Sequence, residues 1–400
     1  EYIVTYTAQD SYGQSAAPVS RTVTVTDTEA PMIQLYLDYM EVNCNADFSV
    51  PEWFAGVNDN CGMNAAVLHS SGEDVDTSVP GIHIIHYTAT DLAGNTAEPR
   101  DLQVSVIDNC ADEMPWTQAT EAAPWNVRFD FKSVVFDGKL WVLGGMDNQD
   151  AFLNDVWHSE DGVTWETATA QAPWTGRIAH QCLIFNNKLW VLGGKTTGEQ
   201  YLDDVWSSSD GVAWDRVVEH AAWKPRVEFG AVVFDGRMWV MGGNVANYAN
   251  ARNDIWYSTN GTDWVCATDD AEWAGRERPE VLVHNGRMWL ICDDWSVRDD
   301  IWSSEDGIVW SQDLAMAPWY DRADTAAVTV GGRMWLLGGF VLGRWLNDVW
   351  YSENGVDWIE RGATAPWGGR SFHRCLVKDG RIWILGGSEQ CDVWYSEPLE

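Results

Sequence analysis

Asp130, Glu228, Arg278 and Asp324 each stand just after one of six recurring arginines. Three carboxylates and a guanidinium brought to one place have two chemistries open to them. They can hold a cation, or they can divide the roles of acid and base on a sugar. The plainer reading is a set of solvated charges. A second group is aromatic. Trp295 in "CDDWSVRDD" and Trp345 in "FVLGRWLND", with Phe340 beside it, fall in corresponding stretches of consecutive repeats, and Tyr201 and Tyr248 lie in the matching stretches of two others. Exposed rings on a rigid scaffold suit stacking on sugar faces or anchoring a protein partner. The competing reading is that each ring packs its own loop. A third group is acidic. Asp27 and Glu29 in "VTDTEAP", and Asp108 and Asp112 in "VIDNCADE", offer oxygens of the kind that gather around calcium. Solvated linker acids are the alternative there.

Several chemistries are absent. There is no GxSxG elbow and no HExxH, and the eight cysteines include no CxxC pair that would point to zinc. The net charge of -35 repels nucleic acid and anionic membranes. No apolar run approaches the length of a membrane-spanning helix. Six lysines against nineteen arginines, on so acidic a chain, suit a saline extracellular setting.

The elements that must carry these groups are repeated. "LNDVWHSEDGVTW" returns as "LDDVWSSSDGVAW", "RNDIWYSTNGTDW", "RDDIWSSEDGIVW" and "LNDVWYSENGVDW", and "KLWVLGG" returns as "RMWVMGG", "RMWLLGG" and "RIWILGG". A period near 49 residues with four strand-like runs per unit predicts a propeller blade. The tryptophans fall into four sets of six, which absorb 24 of the 27 and imply six blades. Trp53, Trp295 and Trp345 remain outside them. The recurring arginines start the inner strand, and the aspartates of "DVW" start the third strand at the same end, so six such pairs read as blade glue. The strand around Trp116 is expected to complete the blade holding Trp383 and Trp394, as a clasp. Trp295 and Trp345 are expected in loops between second and third strands, and a repeated tryptophan such as Trp350 in the core. The aspartate-glycine and asparagine-glycine steps of "SEDGVTW" and its copies read as turns.

The double glycine, the "NDVW" phrase and the spacing resemble kelch repeats, as found in kelch proteins and in the propeller of galactose oxidase. The resemblance implies a six-bladed kelch-type propeller over residues 109–400. Such propellers bind proteins, bind sugars or carry enzymes, so the fold alone does not choose. The fourth blade departs from the pattern, with "LICDD" in place of "LGG". A copper site like that of galactose oxidase would need two tyrosines, two histidines and a linked cysteine. The histidines of the repeats are His158, His180, His220, His284 and His373; His180 and His373, three residues after their arginines, read as structural, no tyrosines match, and copper is not expected.

The front of the chain carries a longer repeat. "YTAQDSYGQSA" from Tyr6 returns as "YTATDLAGNTA" from Tyr87, a period of 81 residues. Alternating strands in a unit of that size predict an immunoglobulin-like sandwich at 28–108, with 1–27 the closing strands of an earlier copy in a longer protein. "PGIHIIHYTATDLAGNTAEPRDLQVSVID" resembles bacterial immunoglobulin-like and hyalin-repeat modules. In that pattern Cys44 and Cys61 form a disulfide, while both members of the second pair are missing. Such modules are stalks and adhesive spacers.

The sequence therefore predicts an all-β extracellular protein, secreted or displayed on a cell surface. Sandwich modules carry a propeller that recognises a glycan or a surface protein, with calcium as the cofactor that fits. One rival is a carbohydrate-active enzyme using the carboxylates. Another is a fibre in which neighbouring copies touch.

Overall fold

The computed structural model describes residues 2–43, 46, 48–50, 55–60, 66–71, 75–79, 81–107, 114–245, 251–291, 299–319, 322–341, 343–361 and 365–399. Two compact units divide the chain, Glu1–Ala111 and Asp112–Glu400. Both are all-β, and no described residue lies in an α-helix. No helix among them is long and apolar enough to cross a membrane.

In the first unit the sequence repeat returns as repeated geometry. Asp10 N–H donates to Gln14 O and Ala16 N–H to Ala8 O. In the second copy, Asp91 N–H donates to Asn95 O and Ala97 N–H to Ala89 O. In both turns the aspartate Oδ1 accepts a backbone N–H four residues on, which is how a short carboxylate side chain fixes a turn. Strand Gly81–Asp91 alternates exposed and buried residues toward its end, and Ile85, Tyr87 and Ala89 turn inward onto Ile33, Leu102 and Val104. It sits in a four-stranded sheet with Ala66–Ser71, Arg100–Ile107 and Tyr39–Asn43. Strands Tyr2–Tyr6 and Val19–Val23 form a separate hairpin, with Tyr2, Ile3, Tyr6 and Val19 exposed.

In the second unit the described residues form six antiparallel sheets. Each has a second strand buried along most of its length, as in Lys139–Asp147, where a two-sided apolar run demands cover on both faces. That cover is the neighbouring sheet. One core joins Trp141 and Leu143 of the first sheet to Leu189 and Val191 of the second. Another joins Leu140 and Val142 to Trp383 and Leu385 of the sixth. The first strand of each sheet neighbours that of the next, and the sixth (Arg374–Lys378) also neighbours the first (Lys132–Phe136). The inner hairpins turn on two residues with positive φ, such as Asp137 and Gly138 at 48° and 70°, the backbone that two-residue turns require. Gly162 shows why the outer turn needs glycine. Its φ is 74°, and a Cβ would stand 2.4 Å from the Trp383 ring of the sixth sheet.

The strand Trp116–Thr120 pairs with Gln390–Ser396, in the register Trp394 to Gln118 and Ser396 to Trp116. The sixth sheet thus takes its outermost strand from the front of the unit, as expected.

Two expectations need correction. Trp345 lies not in a loop but in strand Arg344–Ser352, paired with Phe340 across a tight hairpin. Trp350 is only half-buried. Its indole N–H donates to Asp348 Oδ2 at 2.8 Å, and that carboxylate is held by Arg322, so the ring packs against the core beside Trp319 without being fully covered. The fully covered rings belong to other sets, such as Trp239 and Trp367.

Candidate functional site

The recurring arginine is the first step in building the site. Arg226 is buried and grips Asp254 through Nη1–Oδ1 at 3.0 Å and Nη2–Oδ2 at 2.8 Å, while Nη1 also donates to Gly242 O. The same seat forms at Arg128–Asp155, Arg177–Asp204, Arg276–Asp300, Arg322–Asp348 and Arg370–Asp392. Each pins the approach to a first strand. Two residues on, the backbone enters the left-handed region in all six sheets. The residues are Asp130, Ala179, Glu228, Arg278, Asp324 and Phe372, with φ between 50° and 57°. That conformation costs a non-glycine residue about 1–2 kcal/mol. Because alanine and phenylalanine adopt it too, it belongs to the repeat and not to a particular ligand. What varies is the side chain presented.

Those side chains converge, as the spacing of the four charged residues predicts. Arg278 Nη1 donates to Asp130 Oδ1 and to Asp324 Oδ1, both at 2.9 Å, and Nη2 donates to Glu228 Oε1 at 2.6 Å. Its guanidinium carbon lies 5.0 Å from the Phe372 ring centre. Burial pushes the Asp130 carboxyl up, but Arg278 outweighs it and holds the group below its ordinary range. Asp324 goes the other way. Burial lifts it to about 6 against the pull of Arg278, and its Oδ2 is buried with no hydrogen-bond partner among the described residues.

Behind this ring lies a cavity of about 150 Å³, lined by residues from all six sheets. Its second tier was not singled out in the sequence. Along a strand every second side chain shares a face, so the residues two past the ring face the same space. Lys132 follows Asp130, Glu280 follows Arg278, and Arg374 follows Phe372. That alternation is the signal that would have found them. Burial and then Arg374 lower Lys132 to about 7, and burial raises Glu280. Cys182 in the wall is a free thiol pushed up to about 12 by burial, which makes it inert.

The aromatic group is only partly assembled. Trp345 is 53% exposed. Its partner Phe340 pairs in turn with Ala323, the residue before Asp324. Two strand spacings of about 4.8 Å each therefore separate the ring's backbone from the mouth. Trp345 and Tyr201 share one place in the repeat, as their matching stretches predict, and Phe152 shares it too. Phe152 opposite Met146 and Tyr201 opposite Lys195 hold the same register in the first two sheets. Tyr201 does not join an exposed platform, because its ring packs with Phe152 and Met146 on Ile178, Ala179 and Val227. A further groove of about 450 Å³ runs beside Phe129, lined by Asp147, Asp150 and Glu389. Trp295 and Tyr248 lie outside the described residues.

His180 and His373 are buried and neutral, with burial driving both well below the usual range, as the structural reading expects. Among the calcium candidates, Asp27 comes together with Asp59 and Asp91, their ligand oxygens within 4.8 Å of one another. Glu29 instead accepts a bond from Asn60 Nδ2 at 2.7 Å. Asp108, Asp112, Cys44 and Cys61 lie outside the described residues. No protein-family model matches the chain, and no curated protein matches it.

Proposed function

We propose that the second unit is a six-bladed kelch-type propeller closed by the Trp116–Thr120 strand, and that it is the recognition module of an extracellular protein. It reads a glycan or a surface protein, and the first unit is an immunoglobulin-like carrier. The observation that carries this reading is the exposure of Trp345 beside a mouth lined with charge. An ordinary surface position has no need of a large indole, and aromatic anchors dominate binding energy where they occur. The cyclic order of first strands and the sharing of cores between sheets six and one support the propeller.

The geometry favours binding over sugar hydrolysis. A glycosidase needs two carboxyl groups free to move protons and to face a ring. Here each of the three carboxylates accepts a bond from Arg278. A cavity of 150 Å³ holds a molecule the size of benzene, roughly half the heavy atoms of a hexose.

The test is a glycan array and a surface-protein binding screen with the full chain and Trp345→Ala. The substitution should weaken capture by about 1–3 kcal/mol, with stability unchanged to within about 0.5 kcal/mol. Full capture by the variant would overturn the role of Trp345. Calcium is the cofactor proposed for the first unit, held by Asp27, Asp59 and Asp91. At a hundred times its dissociation constant it would add about 2.7 kcal/mol to that unit. Identical unfolding curves in calcium and in chelator would remove it from the reading.

A further inference from the structure

The cavity beneath Arg278 holds opposite charges that do not meet. Lys132 and Glu280 line it, and neither makes a hydrogen bond or an ion pair with a described residue. Arg374 donates from Nε to Phe131 O at 2.8 Å and from Nη1 to His373 O at 3.4 Å, which leaves Nη2 without a partner among the described residues. The strands carrying Lys132 and Arg374 are neighbours, whereas the strand carrying Glu280 neighbours neither. Two cations therefore share one wall and Glu280 stands on another, near enough for the charges to act on one another but without a contact. Buried charge is costly unless paired, and these groups are half-buried around open space.

The charges of the wall restrict what can complete it. Lys132, Arg278 and Arg374 face Asp130, Glu228, Asp324 and Glu280, which leaves one negative charge in excess when all are ionised. A bare anion would add to that excess. A bare cation would do nothing for Lys132 and Arg374, which already repel one another. A molecule carrying both charges satisfies each wall and leaves the balance unchanged. The volume sets its size, since about 150 Å³ accommodates a benzene-sized guest of about six heavy atoms. We propose that this cavity binds a small zwitterion, an amino acid no larger than about six heavy atoms, with its carboxylate between Lys132 and Arg374 and its ammonium on Glu280. The site is independent of Trp345 and of any glycan or protein recognised there.

Calorimetric titration of the full chain with glycine, L-alanine, acetate, methylammonium and L-phenylalanine tests it. Glycine or alanine should bind, with acetate and methylammonium at least tenfold weaker and phenylalanine excluded by size. Lys132→Met and Glu280→Gln should each weaken amino-acid binding at least tenfold, while Trp345→Ala should leave it unchanged. Glu280→Gln keeps shape and volume, so it decides the matter if Lys132→Met unfolds. Acetate binding as tightly as glycine, binding unaffected by Glu280→Gln, or the absence of both heat and thermal stabilisation with either small amino acid would each overturn the proposal.

Discussion

The six arginine seats and the six positions two residues beyond them share one backbone path and have opposite characters. At the seats the residue types are the same in every sheet, and every guanidinium is buried in a two-pronged grip on aspartate. At the ring positions the φ angles agree to within 7°, yet the side chains are Asp, Ala, Glu, Arg, Asp and Phe. A group needed to place each strand must be present in every copy. A group facing a shared central space need not be, because the six side chains there meet one another and not six equivalent environments. Repetition marks what holds the fold together, and departure from it marks where chemistry can sit.

Asp254 in a seat and Asp324 in the ring respond to pH with opposite signs. Burial pushes the Asp254 carboxyl up, but Arg226 outweighs it and holds the group below its ordinary range. The stability it contributes is present above the unfolded-state value and is lost as pH falls. Asp324 is held above its ordinary range, at about 6. The unfolded chain gives up this proton first, so stability falls as pH rises from about 4 to about 6.

Breaking a seat should have the largest effect. Arg226→Ala leaves Asp254 buried without its charge partner, and urea denaturation at neutral pH should show a loss of about 3–5 kcal/mol. A loss below about 1 kcal/mol would mean the seats are not what holds the sheets in place. A smaller effect of the other sign should come from the ring. Asp324→Asn keeps an acceptor for Arg278 but cannot ionise. Measured against the native chain, its stability should improve by about 2 kcal/mol between pH 4 and pH 7, from a shift of about two pKa units. A difference that stays flat over that range would place Asp324 with the ordinary carboxylates and blur the contrast.

Some of the site was legible before the structure. The convergence of Asp130, Glu228, Arg278 and Asp324, from sheets far apart in the chain, followed from their common place after a repeated arginine. Lys132, Glu280 and Arg374 obey the same logic two residues on and were overlooked, since lone charges in an alternating strand look like solvent-facing positions. The match of Trp345 with Tyr201 was legible from their common place before the "DVW" phrase, whereas Phe152 at the same register was not, being one more apolar residue in an apolar strand.

The sequence by itself determined the all-β character, the two repeat periods, the six copies and the pairing of Trp116–Thr120 with Gln390–Ser396. The first three rest on local pattern, since alternation, turn residues and periodic tryptophans act over a few residues and recur, and the pairing follows from counting copies, since the last copy lacks the outer strand that the front of the unit supplies. Only the tertiary structure decided how the central charges pair and which aromatic is exposed. It set Arg278 between three carboxylates and left Lys132 and Glu280 apart. It also left Trp345 open while covering Tyr201. The physical reason is that pairing and burial are sums over neighbours brought in from distant parts of the chain, as Asp130 is to Arg278 across 148 residues. No local pattern carries those distances.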